Sequence, residues 1–245
     1  MRKLFRSEFL KLRKSSIWML IFVSPILSLL LGFPELSELQ DLDPQQWWTA
    51  TLGTMTFSHA ILFLPLLTGI FSSFICRYEH AEGGWKQLMS LPVSRINVYI
   101  VKVCIVSFLI ATTQILFVTG LFIIGWINGY PADIPWGTIS TSVIGGWVAC
   151  LPLIALQMFA SVAWSSFAAP LAVNVIFTIP NILIVNSVVF APYYPWAQPF
   201  IMMMPNSAES FGALNVSMET LFIVILGSFV LFIGSGLGYF MRKEL

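Results

Sequence analysis

The residues able to attack, transfer protons or bind metal are few: His59 and His80, Cys76, Cys104 and Cys150, and a loop holding Glu79 and Glu82. Their spacing supports none of those reactions. The cysteines are odd in number and none pairs at the short spacing of a zinc site, so neither a disulfide nor a metal centre is expected. There is no G-x-x-x-x-G-K-[ST] to cradle phosphates, no H-E-x-x-H and no G-x-S-x-G. No nucleophile can be paired with a base, and His59, inside an apolar run, reads as a hydrogen-bonded packing residue. No catalytic or metal-binding residue is assigned, and the chain is not expected to be an enzyme.

The elements that would position these groups follow from composition. Of 245 residues, 58% are hydrophobic and only 9% charged, and the mean hydropathy is +0.87. A soluble domain of this size does not tolerate that balance, so the chain reads as an all-α integral membrane protein with one transmembrane domain over 1–245. Apolar runs at about 16–33, 49–75, 96–127, 137–163, 168–190 and 217–240 are each long enough to cross roughly 30 Å of hydrocarbon as a helix. Six crossings put both termini on one side.

Charge identifies the side. The basic residues Arg2, Lys3, Arg6, Lys11, Arg13 and Lys14 precede the first run, Arg77, Lys86, Arg95 and Lys102 surround the second loop, and Arg242 and Lys243 close the chain. The positive-inside rule makes that side cytoplasmic. Glu35, Glu38, Asp41, Asp43, Asp133, Glu209 and Glu219 map to the opposite face.

The first run lacks a cleavage pattern and is expected to stay attached. Over residues 1–15, Leu4, Phe5, Phe9 and Leu12 share one helical arc with most basic residues opposite, the pattern of a helix lying in the interface. Glu8 falls on the apolar arc and is the exception. Ionisable groups at mid-membrane, which an ion-coupled carrier needs, are missing from the runs; Lys102 is expected to snorkel back to the cytoplasm. Gln114, Gln157, Asn174, Asn181 and Asn186 read as interhelical hydrogen-bonding groups, and Gly125, Gly129, Gly227, Gly234 and Gly238 as close-packing positions.

Energy for transport would then enter through the loop "RYEHAEGGWKQLMSLPVSR", residues 77–95. Gly83-Gly84 breaks the preceding helix. Trp85, Leu88 and Met89 stand at helical spacing, and Pro92 stops the short helix they form. So short a helix is marginal alone and would gain order by docking its tryptophan face in a partner's groove.

Glu79, Glu82, Gly84, Lys86, Leu88, Pro92, Arg95 and Lys102, with their spacing, resemble the coupling-helix loop of ATP-binding-cassette permeases of the type-2 exporter family. "SEFLKLRKSSIWML" is similar to that family's amino-terminal connecting helix. The E-x-x-E-G-G-W-K-Q-L-x-x-L-P form is most similar to lantibiotic self-immunity permeases, although Trp85 stands where many members carry threonine. The resemblance implies a bacterial cell-membrane permease expelling a membrane-active peptide, with a second permease chain, identical or related. It implies that a separate cytoplasmic ATPase dimer holds ATP and Mg, that this chain carries no cofactor, and that no nucleic acid is involved. Glu79, Glu82, Gly84, Trp85, Lys86, Leu88, Pro92 and Arg95 would carry coupling.

The family also has a re-entrant outer segment between spans five and six, for which "APYYPWAQPFIMMMPNSAESFGALNVS" is the candidate. Its four prolines forbid one continuous helix. Trp196, Phe200 and Met203 are candidate substrate or gate contacts there; the plainer reading is that these side chains pack or sit at the interface. The acidic outer loop could attract a cationic peptide, but topology alone also produces an acidic outer face. A competing function, a six-span substrate-capture module or membrane sensor, would lack ATPase docking and would purify with a bound small molecule.

Overall fold

In hydrocarbon every backbone N–H and C=O must find a partner inside its own segment or in protein, so apolar runs of this length become helices. The computed structural model describes residues 2–13, 15–34, 42–81, 83–205 and 212–243, and among them the regular structure is entirely helical. In chain order the helices are α1 (Arg2–Arg13), α2 (Ile17–Leu31), α3 (Pro44–His80), α4 (Gly84–Met89), α5 (Arg95–Ile127), α6 (Trp136–Ala163), α7 (Ala168–Thr178), α8 (Asn181–Ile184), α9 (Gln198–Met203) and α10 (Met218–Arg242).

Four of these, α3, α5, α6 and α10, are long and apolar enough to cross a membrane, and a fifth arises if α1 and α2, whose axes differ by 71°, form one broken span. The chain is therefore a multi-pass membrane protein, with four or five helices of spanning length among the described residues against the six apolar runs of the sequence. Helix α2 has 15 residues, short of the roughly 20 that a straight span needs. The fifth apolar run is divided into α7 and α8, of 11 and 4 residues. Pro180 stands at the break and cannot donate to the helical ladder, a signal that hydropathy alone does not register.

Helix α6 is the hub, packed against α3, α5, α9 and α10. Two ends of the bundle are distinguishable. At one, Arg95 Nη1 donates to the carbonyls of Phe240, Met241 and Lys243 at 3.2, 3.1 and 2.8 Å, covering the last turn of α10, whose carbonyls have no helical partner. Lys243 Nζ donates to Val162 O at 2.6 Å, and burial depresses its ammonium below the ordinary lysine range. This is the loop end. At the opposite end Trp48 Nε1 donates to Pro131 O at 3.0 Å, and the Thr51 and Tyr130 hydroxyls lie 2.6 Å apart.

The segment after α8 is folded into the bundle. Every residue of α9 is buried, and Met202 and Met203 rest on Gly145 and Gly146, where a Cβ would overlap their side chains. Ser142 Oγ donates to Met203 O. Trp196, Phe200 and Met203, the candidate outer contacts, are all interior. Among the close-packing glycines, Gly125 receives the Trp48 ring, whereas a Cβ added at Gly227, Gly234 or Gly238 on α10 would meet nothing within 4 Å outside its own helix.

Asn174 ties this segment down. Its Nδ2 donates to Pro65 O and Leu66 O at 2.9 and 3.2 Å, and its Oδ1 accepts from Gln157 Nε2 and Trp196 Nε1 at 3.0 and 2.8 Å. Interhelical hydrogen bonds in membranes average about 0.6 kcal/mol and reach about 1.7. Asn174→Leu is expected to lower stability by about 2 kcal/mol, seen as a lower unfolding midpoint in mild detergent. An unchanged midpoint contradicts this role.

Candidate functional site

Four ionised side chains converge at the loop end. Lys11 Nζ lies 2.5 Å from Glu8 Oε1 and 2.7 Å from Glu79 Oε1; Lys102 Nζ lies 2.7 Å from Glu8 Oε2 and 2.8 Å from Glu79 Oε2. Each carboxylate thus bridges both ammonium groups, and two acids balance two bases. Lys102 also donates to Ile75 O at 3.1 Å.

The ring joins α1, α3 and α5. Glu8 and Glu79 are 3% and 2% exposed and Lys102 is fully buried, while Lys11 reaches the surface. Two sequence expectations are corrected here. Lys102 does not snorkel to water: seven residues into α5, about 10 Å along its axis, it turns into the bundle toward the carboxylates. Glu8 is not an exception to the amphipathic pattern of α1. Leu4, Glu8 and Leu12 form one buried row at four-residue spacing, and Glu8 belongs to it because its charge is met by Lys102. A buried ionisable group in a membrane protein marks a functional region and needs a named partner; here each has two.

Directly beneath the ring hangs α4. Gly83 precedes it with φ of +76°, a left-handed conformation that glycine adopts without a Cβ penalty. At Gly84 a Cβ would lie 2.7 Å from Tyr78 O and 2.9 Å from Glu79 Cα, so the chain doubles back against the end of α3. The doubling back carries Trp85 inward. The indole is 6% exposed, stands 5.1 Å from the Phe240 ring of α10 and 5.7 Å from the His80 ring, and lies 5.6 Å from Lys102 Nζ, within range of a cation–π contact. Its Nε1 donates to His80 Nδ1 at 3.3 Å, and His80 Nε2 donates to Ser161 O at 2.7 Å.

The tryptophan face expected to dock in a partner's groove is therefore turned into the chain, with Leu88 also buried. Lys86, Gln87, Ser90, Leu91 and Pro92 are exposed instead. Of the residues assigned to the loop, Glu79, Trp85 and Leu88 are interior, Gly84 sets the turn, Arg95 caps α10, and Lys86 and Pro92 face outward. Glu82 lies outside the described residues. The loop's interior side reaches, through Trp85 and Glu79, the amino-terminal helix and the last helix. The sequence contains all four charges of the ring, but their convergence from positions 8, 11, 79 and 102 is a property of the fold.

A second feature opens at the opposite end. A cavity of about 1270 Å³ lies between the first turns of α3, the start of α6 and residues 202–205. Behind its floor, α3 widens into a π-helical turn over His59–Phe63, a distortion found often at functional sites. His59 is buried there, its Nδ1 2.6 Å from Ser24 Oγ, its Nε2 3.3 Å from Gln114 Oε1, and its ring stacked on Phe117 at 4.2 Å.

Among the described residues no group of three or more histidine, cysteine or acidic side chains is placed to hold a metal ion. The family model described as "ABC-2 family transporter protein" matches residues 4–181, which run from α1 into the start of α8. The bacitracin transport permease protein BCRB of Bacillus licheniformis is 22% identical over 177 residues, covering 67% of this chain and 84% of its own length. No solved structure matches the chain.

Proposed function

The chain belongs to the ABC-2 family of transporter proteins, and from that premise we propose that it is the membrane-spanning subunit of an exporter powered by a separate cytoplasmic ATP-binding-cassette ATPase dimer. The observation that carries this reading is the construction of α4. A six-residue helix would not be ordered alone. Here it is rooted by Trp85 and the neighbouring ion ring, and it leaves Lys86, Gln87 and Ser90 free for a partner.

In this reading the loop end is cytoplasmic, consistent with the basic residues gathered there. A partner that tilts α4 moves Trp85, and with it the contacts to α10, α1 and α5. The outward patch receives the force and the ion ring distributes it. The cargo is a membrane-active peptide, and the chain serves self-protection of the lantibiotic-immunity kind; the relative named for bacitracin transport supports a cargo of that general sort. Two permease chains, identical or related, would enclose the pathway.

Copurification tests the partnership. Tagged chain extracted gently from its native membrane is expected to bring an ATP-binding-cassette ATPase with it, and Lys86→Glu on the outward face is expected to reduce the recovered ATPase severalfold. A chain that emerges alone, or only with a small ligand, contradicts the proposal and favours a capture module or sensor.

A further inference from the structure

The cavity at the end opposite the loop has a wall chemistry that selects a ligand. It follows α3 from Gln46 to Ser58, about 18 Å at 1.5 Å per residue, and its volume of about 1270 Å³ exceeds the roughly 300–1,000 Å³ of pockets for drug-sized molecules. Among the described residues no lining side chain is charged. Six hydroxyl side chains line it, and all but Thr138 have already used their proton inside the protein. Thr49 donates to Gln46 O at 2.9 Å, Thr54 to Ala50 O at 3.1 Å, Ser58 to Met55 O at 3.3 Å and Thr141 to Gly137 O at 2.8 Å, while Ser142 donates to Met203 O.

A hydroxyl that has donated still carries acceptor lone pairs. The cavity therefore offers a set of neutral hydrogen-bond acceptors. Leu31, Leu42 and Phe57 supply part of the apolar wall and Met202, Met204 and Met218 the rest, and methionine adapts to side chains of differing shape.

We propose that this cavity binds an uncharged, apolar peptide segment through its backbone amide N–H groups. An amide N–H entering a site away from water needs an acceptor or loses its hydrogen bond, and this wall supplies acceptors without charge. A hydrocarbon chain would gain nothing from them and would strip water from the hydroxyls without replacement. Recognition here is thus by amide donors and adaptable packing. This deepens the exporter proposal by giving the class of cargo segment, and it rests on that reading.

The test uses the purified full-length chain in lipid nanodiscs and a dansyl-labelled, uncharged apolar tetrapeptide amide, alongside the same probe with every backbone amide N-methylated. The unmethylated probe is expected to bind at least about tenfold more tightly, since each tenfold needs only about one good hydrogen bond. Thr54→Val with Thr141→Val, which keeps the side-chain shape and removes two acceptors, is expected to weaken the unmethylated probe by about tenfold and leave the methylated one unchanged. Equal binding of both probes overturns the proposal in favour of a chamber for acyl chains, as does no saturable binding by a monodisperse wild-type chain. Neither result depends on the ATPase, so failure here leaves the copurification test intact, and loss of the ATPase partnership leaves this binding test intact.

Discussion

Lys102→Met is expected to be the most damaging single substitution at the loop end, destabilising the folded chain by about 3–5 kcal/mol. The methionine fills much of the lysine's volume, so the loss is electrostatic. Glu8 and Glu79, both buried, would be left sharing Lys11 alone. Removing one partner of a buried ion pair leaves an uncompensated charge, and that penalty exceeds the net worth of the intact pair. The expected measurement is a large drop in the unfolding midpoint in mild detergent. Adding Glu79→Gln restores one acid to one base, Glu8 with Lys11, and should recover a substantial part of the loss. A Lys102→Met chain as stable as wild type contradicts the ring's structural role, and a double variant worse than the single contradicts its electrostatic origin.

The second large effect is functional. Trp85→Ala removes a nearly buried aromatic side chain from the junction of α4, α10 and Lys102. Truncation of a buried tryptophan costs about 3–5 kcal/mol in a well-packed core. Because α4 lies at the end of the bundle, the cost falls on its attachment and not on the spans. Membrane insertion should therefore be normal while stimulation of the partner ATPase is lost. Trp85→Phe keeps the ring against Phe240 and gives up the hydrogen bond to His80, and it should retain most of the coupling. Preserved ATPase stimulation in Trp85→Ala contradicts the transmission path; loss in both variants assigns the role to the indole N–H and not to packing.

These two residues also mark the boundary of what a sequence conveys. Composition made the class legible, and the four long helices α3, α5, α6 and α10 follow from uninterrupted hydropathy and length. The loop's Gly-Gly-Trp pattern and the terminating Pro92 made α4 legible as a short helix. Its orientation was not legible. Spacing groups Trp85, Leu88 and Met89 on one side of a helix but does not say whether that side meets a partner or the chain itself, which depends on Phe240, far away in sequence. Glu8 and Lys102 looked like an irregularity and a stray membrane-edge lysine for the same reason. Each is ordinary only beside the other, and 94 residues separate them. The break in the fifth run at Pro180 was local information that a hydropathy reading passes over, and the cavity at the end opposite the loop is assembled from five separate segments that no linear pattern connects.

The most direct test of the central claim is a photo-crosslinking residue placed at Gln87, on the exposed side of α4, with a second chain carrying it at Ile123, exposed on α5 away from the loop. Irradiation in native membranes is expected to join position 87 to an ATP-binding-cassette ATPase and to leave position 123 without that adduct. No ATPase adduct from position 87, or the same adduct from both positions, would contradict the assignment of α4 as the surface through which ATP hydrolysis drives this chain.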